Sequence, residues 1–189
     1  MADGWAGAVL AAGRSTRFGA EDKLAAGLNG RPLASHAAAA LAAVPLAARA
    51  AVCPAGRAGL FPGFVRLEAP EGSEQSASLA AAARWAAGQG AAGLLVVLGD
   101  MPFVTAADLA AVLAAAQAGG GAACVTDGSR RMPPAAFAAA LFPALAAAEG
   151  DQGARAILRG LGPGQLVGLP AERLRDIDTV GDLAAAQRG

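Results

Sequence analysis

The chain has 189 residues with 15 basic and 15 acidic side chains, so its formal net charge is zero and nothing draws its whole surface toward nucleic acid or an anionic membrane. That length holds one full hydrophobic core and leaves little for a second large domain, so a single domain over residues 1–189 is expected. Alanine inflates the 55% hydrophobic content, no uninterrupted apolar run approaches the roughly 18 residues of a membrane span, and the start Met1-Ala2-Asp3-Gly4-Trp5 lacks a basic secretory leader, which makes the expected location cytoplasmic.

Short β-type runs alternate with longer helical stretches along the chain. A strand is expected from Gly7 to Ala12, then a glycine-rich loop, then a helix from Leu33 to Ala43. Strands at Ala48 to Cys53 and Phe64 to Glu68 precede a helix at Glu74 to Ala87, and a strongly apolar strand at Leu94 to Gly99 precedes a helix at Ala106 to Gln117. In that last helix Leu109, Val112, Leu113 and Ala116 recur at helical spacing, and Thr105 with Asp108 forms a capping box at its start. A strand at Ala122 to Thr126, helices at Ala135 to Ala147 and Asp151 to Arg159, a strand at Gln165 to Gly168 and a helix at Val180 to Gln187 complete the series. Thr179 with Asp182 repeats the capping box at the last helix. This alternation predicts an α/β fold, a mostly parallel sheet covered by helices on both faces. Cys53 and Cys124 fall inside expected strands and read as buried small hydrophobes.

Three groups of residues carry chemistry. The first is Leu10-Ala11-Ala12-Gly13-Arg14-Ser15-Thr16-Arg17-Phe18-Gly19, with Lys23 shortly after. Successive backbone N–H groups in such a loop form a concave anion site, glycine permits close approach, and Arg17 and Lys23 neutralise phosphate charge. The spacing is neither a Walker A loop nor G-x-G-x-x-G, because five residues separate Gly13 from Gly19 and Ala20 stands where the lysine belongs. Composition alone leaves a second reading open, a solvated glycine turn with two surface cations.

The second group is Leu98-Gly99-Asp100-Met101-Pro102-Phe103. In an open α/β sheet ligands bind beyond the carboxyl ends of the strands, so Asp100 faces the same crevice as the first loop, where a carboxylate suits Mg²⁺. Read alone, a turn aspartate ahead of Pro102 is the lesser alternative. The third group is Asp176-Ile177-Asp178-Thr179-Val180-Gly181-Asp182-Leu183 near the C-terminus. His36 is the only histidine and lies in an expected helix, so it reads as structural.

Together these residues resemble the signature of the MobA-like nucleotidyltransferases: the Leu10 to Gly19 loop, then Asp22-Lys23-Leu24, Asn29-Gly30-Arg31-Pro32-Leu33 as the G-[KR]-P-L segment, and the L-G-D-M-P at Leu98 to Pro102. The nearest subfamily is the molybdenum cofactor cytidylyltransferases. The resemblance implies a Rossmann-like three-layer sandwich of the nucleotide-diphospho-sugar transferase type. It implies a nucleotide held by the backbone of Leu10, Ala11, Ala12, Gly13, Arg14 and Ser15, with Arg17 and Lys23 on its phosphates. It makes Asp100 the principal Mg²⁺ ligand and Asp178 the second, since Asp176 to Leu183 is similar to the family's D-I-D-T-P-E-D-L, with Val180 and Gly181 for proline and glutamate.

Other segments match less closely. Glu74-Gln75-Ser76-Ala77-Ser78-Leu79 stands in for G-M-x-x-S-L near the base, which assigns Ser76 and Ser78 to the base or ribose, although serines at a helix start also serve as plain caps. Gly150-Asp151-Gln152-Gly153-Ala154-Arg155 is similar to the subfamily's G-D-x-G-A-R on the acceptor side, which assigns Asp151 and Arg155 there. At Asp127 to Pro134 the chain departs from the family, with Arg131 and Met132 where a glycine and a small or polar residue are usual. Arg130 and Arg131 either meet an acceptor phosphate or are solvated.

The implied activity is Mg²⁺-dependent transfer of a nucleotidyl group, with CTP favoured because guanylyl-transferring relatives usually carry glycine at the position of Ala12. The implied acceptor is molybdenum-bound molybdopterin, the product molybdopterin cytosine dinucleotide, and the eventual recipient a molybdoenzyme. Alternatives are GTP-dependent guanylyl transfer to molybdopterin, cytidylyl transfer to methylerythritol phosphate, and a non-catalytic molybdenum cofactor-binding chaperone. An acceptor phosphate with a second pKa of about 6 is largely ionised near neutral pH, so no general base is required. That suits a site without histidine.

Overall fold

The computed structural model describes residues 4–13, 18, 22–147 and 152–188, with only the backbone at 152 and 153. In chain order the elements are strand β1 (Ala6–Leu10), the two-residue strands β2 (Gly27–Leu28) and β3 (Arg31–Pro32), helix α1 (Leu33–Ala42), β4 (Ala48–Cys53), β5 (Val65–Glu68) and α2 (Gln75–Gly88). They continue with β6 (Gly93–Leu98), α3 (Ala106–Ala118), β7 (Ala122–Thr126), β8 (Arg131–Ala138), α4 (Phe142–Ala146), α5 (Gln152–Arg159), β9 (Leu166–Gly168) and α6 (Val180–Ala186).

Seven strands form one sheet in the order β5-β4-β1-β6-β8-β7-β9. All neighbours are parallel except β8, which runs antiparallel to both β6 and β7. The two central strands read as near-continuous apolar runs, AGAVL and GLLVVL, because helices cover both of their faces. Side chains alternate accordingly. Ala6, Ala8 and Leu10 with Leu94 and Val96 pack under α2, α4 and α5, whereas Val9 with Leu95 and Val97 pack under α1 and α3. The result is the expected three-layer sandwich of the nucleotide-diphospho-sugar transferase type.

The expected strands and helices form close to the predicted limits, with one correction. The stretch expected as a helix from Ala135 to Ala147 is instead strand β8, a single 3-10 turn and the short α4. Its alanines read as helical, but the position between β6 and β7 makes it a strand. Two prolines ought to disqualify it, since neither donates to a ladder. They fit because the pairing with β7 jumps from Cys124↔Ala135 to Val125↔Met132, leaving Pro133 and Pro134 in an irregularity. On the other side the ladder with β6 extends only to Val96↔Ala135.

The hairpin β2-β3 was not expected as such. It turns on Asn29 and Gly30 at φ 50° and 77°, the pair of positive dihedrals that a two-residue hairpin requires. His36 of α1 secures it. Nε2 lies 2.9 Å from the Leu28 carbonyl and Nδ1 lies 3.3 Å from Arg31 Nη2, so the ring donates from Nε2 and accepts at Nδ1. Both capping boxes form as expected, at Thr105 with Asp108 and at Thr179 with Asp182. Cys53 and Cys124 are buried, and burial pushes both thiols above their ordinary pKa. No helix among the described residues is long and apolar enough to cross a membrane.

Candidate active site

The parallel register of β4, β1 and β6 brings the loops after all three to one edge of the sheet. Leu10 pairs with Val52 and with Leu98, so Ala11 to Gly13 emerge beside Gly99 and Asp100. A cleft of about 200 Å³ opens there, lined by Leu10, Ala11, Ala12, Gly13, Lys23, Leu24, Ser73, Gln75, Ser78, Leu98, Asp100 and Asp178.

At its floor lies Lys23, only 6% exposed. Asp22 fixes the 3-10 turn that carries it, since Asp22 Oδ1 accepts from the Leu24 N–H at 3.0 Å. The Lys23 ammonium donates to Asp100 Oδ2 at 2.9 Å and to Asp178 Oδ1 at 2.8 Å. Burial lowers the pKa of Lys23, but the two carboxylates outweigh burial and hold it above the ordinary lysine value, so it is charged at every physiological pH. Asp178 reaches the site from a segment without regular structure. Ile177 is fully buried, and its N–H donates to the Asp100 carbonyl at 3.1 Å, which sets the next residue beside Asp100.

Asp100 Oδ1 is buried and accepts no hydrogen bond among the described residues. A lone buried carboxylate oxygen is costly, and a hard divalent cation is a partner that satisfies it. No group of three or more metal-capable His, Cys, Asp or Glu side chains gathers among the described residues. If such an ion binds here, Asp100 and Asp178 are the carboxylates that would hold it, with further positions left to phosphate oxygens and water.

A second, larger cavity of about 730 Å³ adjoins the first and shares Leu10, Gln75 and Leu98 with it. Its walls are largely apolar, including Leu79, Val96 and Phe137, and Arg155 and Arg159 line it. Arg130 and Arg131 also border it. Arg130 pairs with Asp127 at 3.4 Å, and Arg131 donates to the carbonyls of Leu158 and Arg159 at the end of α5. Arg131 is thus a helix-end anchor.

Of the site residues expected from sequence, Leu10, Ala11, Ala12, Gly13, Lys23, Ser78, Asp100 and Asp178 meet in the first cleft. Ser76 and Arg155 line the second. Arg14, Ser15, Arg17 and Asp151 lie outside the described residues. Sequence reasoning gave no role to Gln75, inside the Glu74 to Leu79 segment, or to Ser73, just before it, although both line the cleft. It also passed over Arg57, which is 4% exposed and donates to Asp22, Ala11 and Gly13. Nothing in Pro54-Ala55-Gly56-Arg57-Ala58-Gly59 separates it from a solvated turn arginine.

Fold and site together define a nucleotidyltransferase of the nucleotide-diphospho-sugar transferase fold. The chain belongs to the MobA-like NTP transferase domain family, whose sequence profile matches residues 7–167. Among solved structures it is similar to a homologue of Mycobacterium tuberculosis Rv0371c from Mycobacterium sp. strain JC1. That pair is 25% identical with a TM-score of 0.82 over 100% of this chain and 99% of the other. It is also similar to Rv0371c of M. tuberculosis H37Rv solved with manganese, at 19% identity and TM-score 0.76, covering 98% and 99% of the two chains. A nucleotidyl transferase from Methanothermobacter thermautotrophicus matches at 22% identity and TM-score 0.79, covering 99% and 97%. No curated protein sequence matches the chain.

Proposed function

We propose that this chain, acting as one cytoplasmic domain over residues 1–189, transfers the cytidylyl group of CTP to the terminal phosphate of molybdenum-bound molybdopterin, releasing pyrophosphate. The observation that carries the reading is the cluster of Lys23, Asp100 and Asp178 beside the Leu10 to Gly13 loop, with one carboxylate oxygen unpartnered among the described residues. The family membership supports nucleotidyl transfer, and the Leu10-Ala11-Ala12-Gly13 form supports CTP over GTP.

The triphosphate lies along Ala12 and Gly13, whose backbone N–H groups donate to its oxygens, since the Ala11 N–H is held by the Val52 carbonyl; the family resemblance adds the Arg17 guanidinium on the phosphates. Lys23 spends two of its three N–H donors on Asp100 and Asp178 and turns the third to a phosphate oxygen. Ser78 at the start of α2, in the wall of the nucleotide cleft, reaches the base or ribose, whereas Ser76, expected there too, faces the larger cavity. Asp100 and Asp178 would hold Mg²⁺, which would supply charge neutralisation at the phosphates.

The acceptor occupies the larger cavity, its ring system on the apolar wall and its anionic groups toward Arg155 and Arg159 of α5; Asp151, outside the described residues, is assigned to the acceptor side by the family resemblance alone. Its phosphate oxygen attacks the α-phosphorus. The new P–O bond forms as the bond to the β-phosphate bridging oxygen breaks, and the electron pair leaves with pyrophosphate. The two cavities meet at Leu10, Gln75 and Leu98, which is where the reacting atoms come together. A molybdoenzyme then receives the product.

Pyrophosphate release with Mg²⁺, purified molybdenum-bound molybdopterin or methylerythritol phosphate, and CTP or GTP tests the proposal. Release with CTP and molybdopterin alone is expected, and Asp100→Asn should reduce it about a hundredfold or more. Preference for GTP, or for methylerythritol phosphate, would overturn the substrate assignment. Cofactor delivery that survives Asp100→Asn, with no transfer ever detected, would overturn catalysis.

A further inference from the structure

Arg57 lies in the 3-10 turn Ala55–Leu60 that follows β4, and its guanidinium is buried. It lines neither cavity, so it has no direct route to a substrate. Its partners all belong to the segments that frame the nucleotide cleft. Nη1 donates to the carbonyls of Ala11 at 2.8 Å and Gly13 at 3.0 Å, where the chain leaves β1. Nε donates to Asp22 Oδ2 at 2.7 Å, where the chain enters the turn bearing Lys23. Nη2 lies 3.6 Å from Glu71 Oε1, next to Gly72, whose N–H donates to the Ala12 carbonyl at 2.8 Å.

We propose that Arg57 is the positioning residue of the nucleotide site, one buried guanidinium that fixes both ends of the 11–22 segment and sets the Lys23 turn. This inference rests on the nucleotidyl-transfer reading above. In a planar trans peptide the N–H points opposite to the preceding carbonyl. Holding the Ala11 carbonyl on Arg57 therefore turns the Ala12 N–H to the far side, and the carbonyl dipoles of Ala11 and Gly13 are kept on the guanidinium, where they do not oppose a phosphate. Asp22 is shared, one oxygen on Arg57 and the other on the Leu24 N–H, so the guanidinium orients Lys23 through Asp22. Only a fork of several fixed donors serves three acceptors in this way, and a lysine in its place has a single nitrogen.

The test measures CTP binding by calorimetry with Mg²⁺, and steady-state kinetics, for the natural chain, Arg57→Lys, Arg57→Ala and Asp22→Asn. Arg57→Lys should raise the nucleotide Kd and KM about tenfold to a hundredfold while the acceptor KM stays within about twofold. Millimolar guanidinium should restore much of the lost affinity to Arg57→Ala and none to the natural chain. If Arg57→Ala does not fold, Arg57→Lys and Asp22→Asn carry the test, and both should show the same nucleotide-only loss. Unchanged nucleotide affinity in a folded Arg57→Lys, or equal rises in both KM values, would overturn the proposal. Failure of the natural chain to bind any nucleotide would instead overturn the function on which it rests.

Discussion

Replacing Lys23 by methionine keeps the apolar stem and removes the ammonium from between two carboxylates. Lys23 is nearly buried, whereas the side chains of Asp100 and Asp178 are 25% and 45% exposed. Breaking a fully buried pair costs about 3–5 kcal/mol, and the water that reaches both acids reduces this to about 2 kcal/mol. For a chain of this size that lowers Tm by about 4–8 °C. A divalent cation supplies the missing charge. At a concentration one hundred times its Kd it returns about 2.7 kcal/mol to a protein that binds it only when folded. In the natural chain the Lys23 ammonium already neutralises the same two carboxylates, through Asp100 Oδ2 and Asp178 Oδ1, so the cation's effect there is smaller. Thermal unfolding followed by circular dichroism, with and without Mn²⁺, reads both quantities. The variant should melt lower without metal and gain more from it. A variant Tm within about 1 °C of the natural chain, or equal metal-induced gains in both, would refute the view that Lys23 holds the acid pair together.

Two further perturbations probe the frame. Burial pushes the Asp108 carboxyl up, but hydrogen bonds from Thr105 and Arg173 outweigh it and leave the pKa below the ordinary carboxylate value. Its folded pKa is depressed, so the stabilisation is present above the unfolded pKa of about 4 and is lost as pH falls through the folded value. Asp108→Asn should cost about 1–2 kcal/mol near neutrality, and urea midpoints should show that gap closing below about pH 4; a gap independent of pH would sink this account. In Gly93→Ala the new Cβ would stand 2.5 Å from Cε3 and Cζ3 of the buried Trp5 ring. Such overpacking costs about 1–3 kcal/mol. A lowered Tm with altered Trp fluorescence is expected, and an unchanged melt would mean the ring moves freely.

Most of the layer architecture was legible in the sequence because periodicity is a local property. The apolar runs of β1 and β6, the spacing of Leu109, Val112 and Ala116, and the two capping boxes each act within a few residues. The loop and acid motifs were legible for the same reason, as short strings with a chemical meaning. What failed was the stretch from Ala135, where alanine favours a helix and only the space between β6 and β7 dictates a strand. The sequence also left Arg131 as a phosphate contact or a solvated cation, because its true partners, two carbonyls at the end of α5, are distant in the chain.

The sequence by itself determined that the chain is an α/β nucleotidyltransferase with a basic loop after its first strand and an acid after a central one. Only the tertiary structure decided that Lys23 sits between Asp100 and Asp178, 77 and 155 residues away, and that Arg57 ties Ala11, Gly13 and Asp22 together. Hydrophobic pattern is written along the chain. Which polar groups meet depends on where parallel strands end and which connections return to that edge, and a buried charge is stabilised only by the particular partners that the packing delivers.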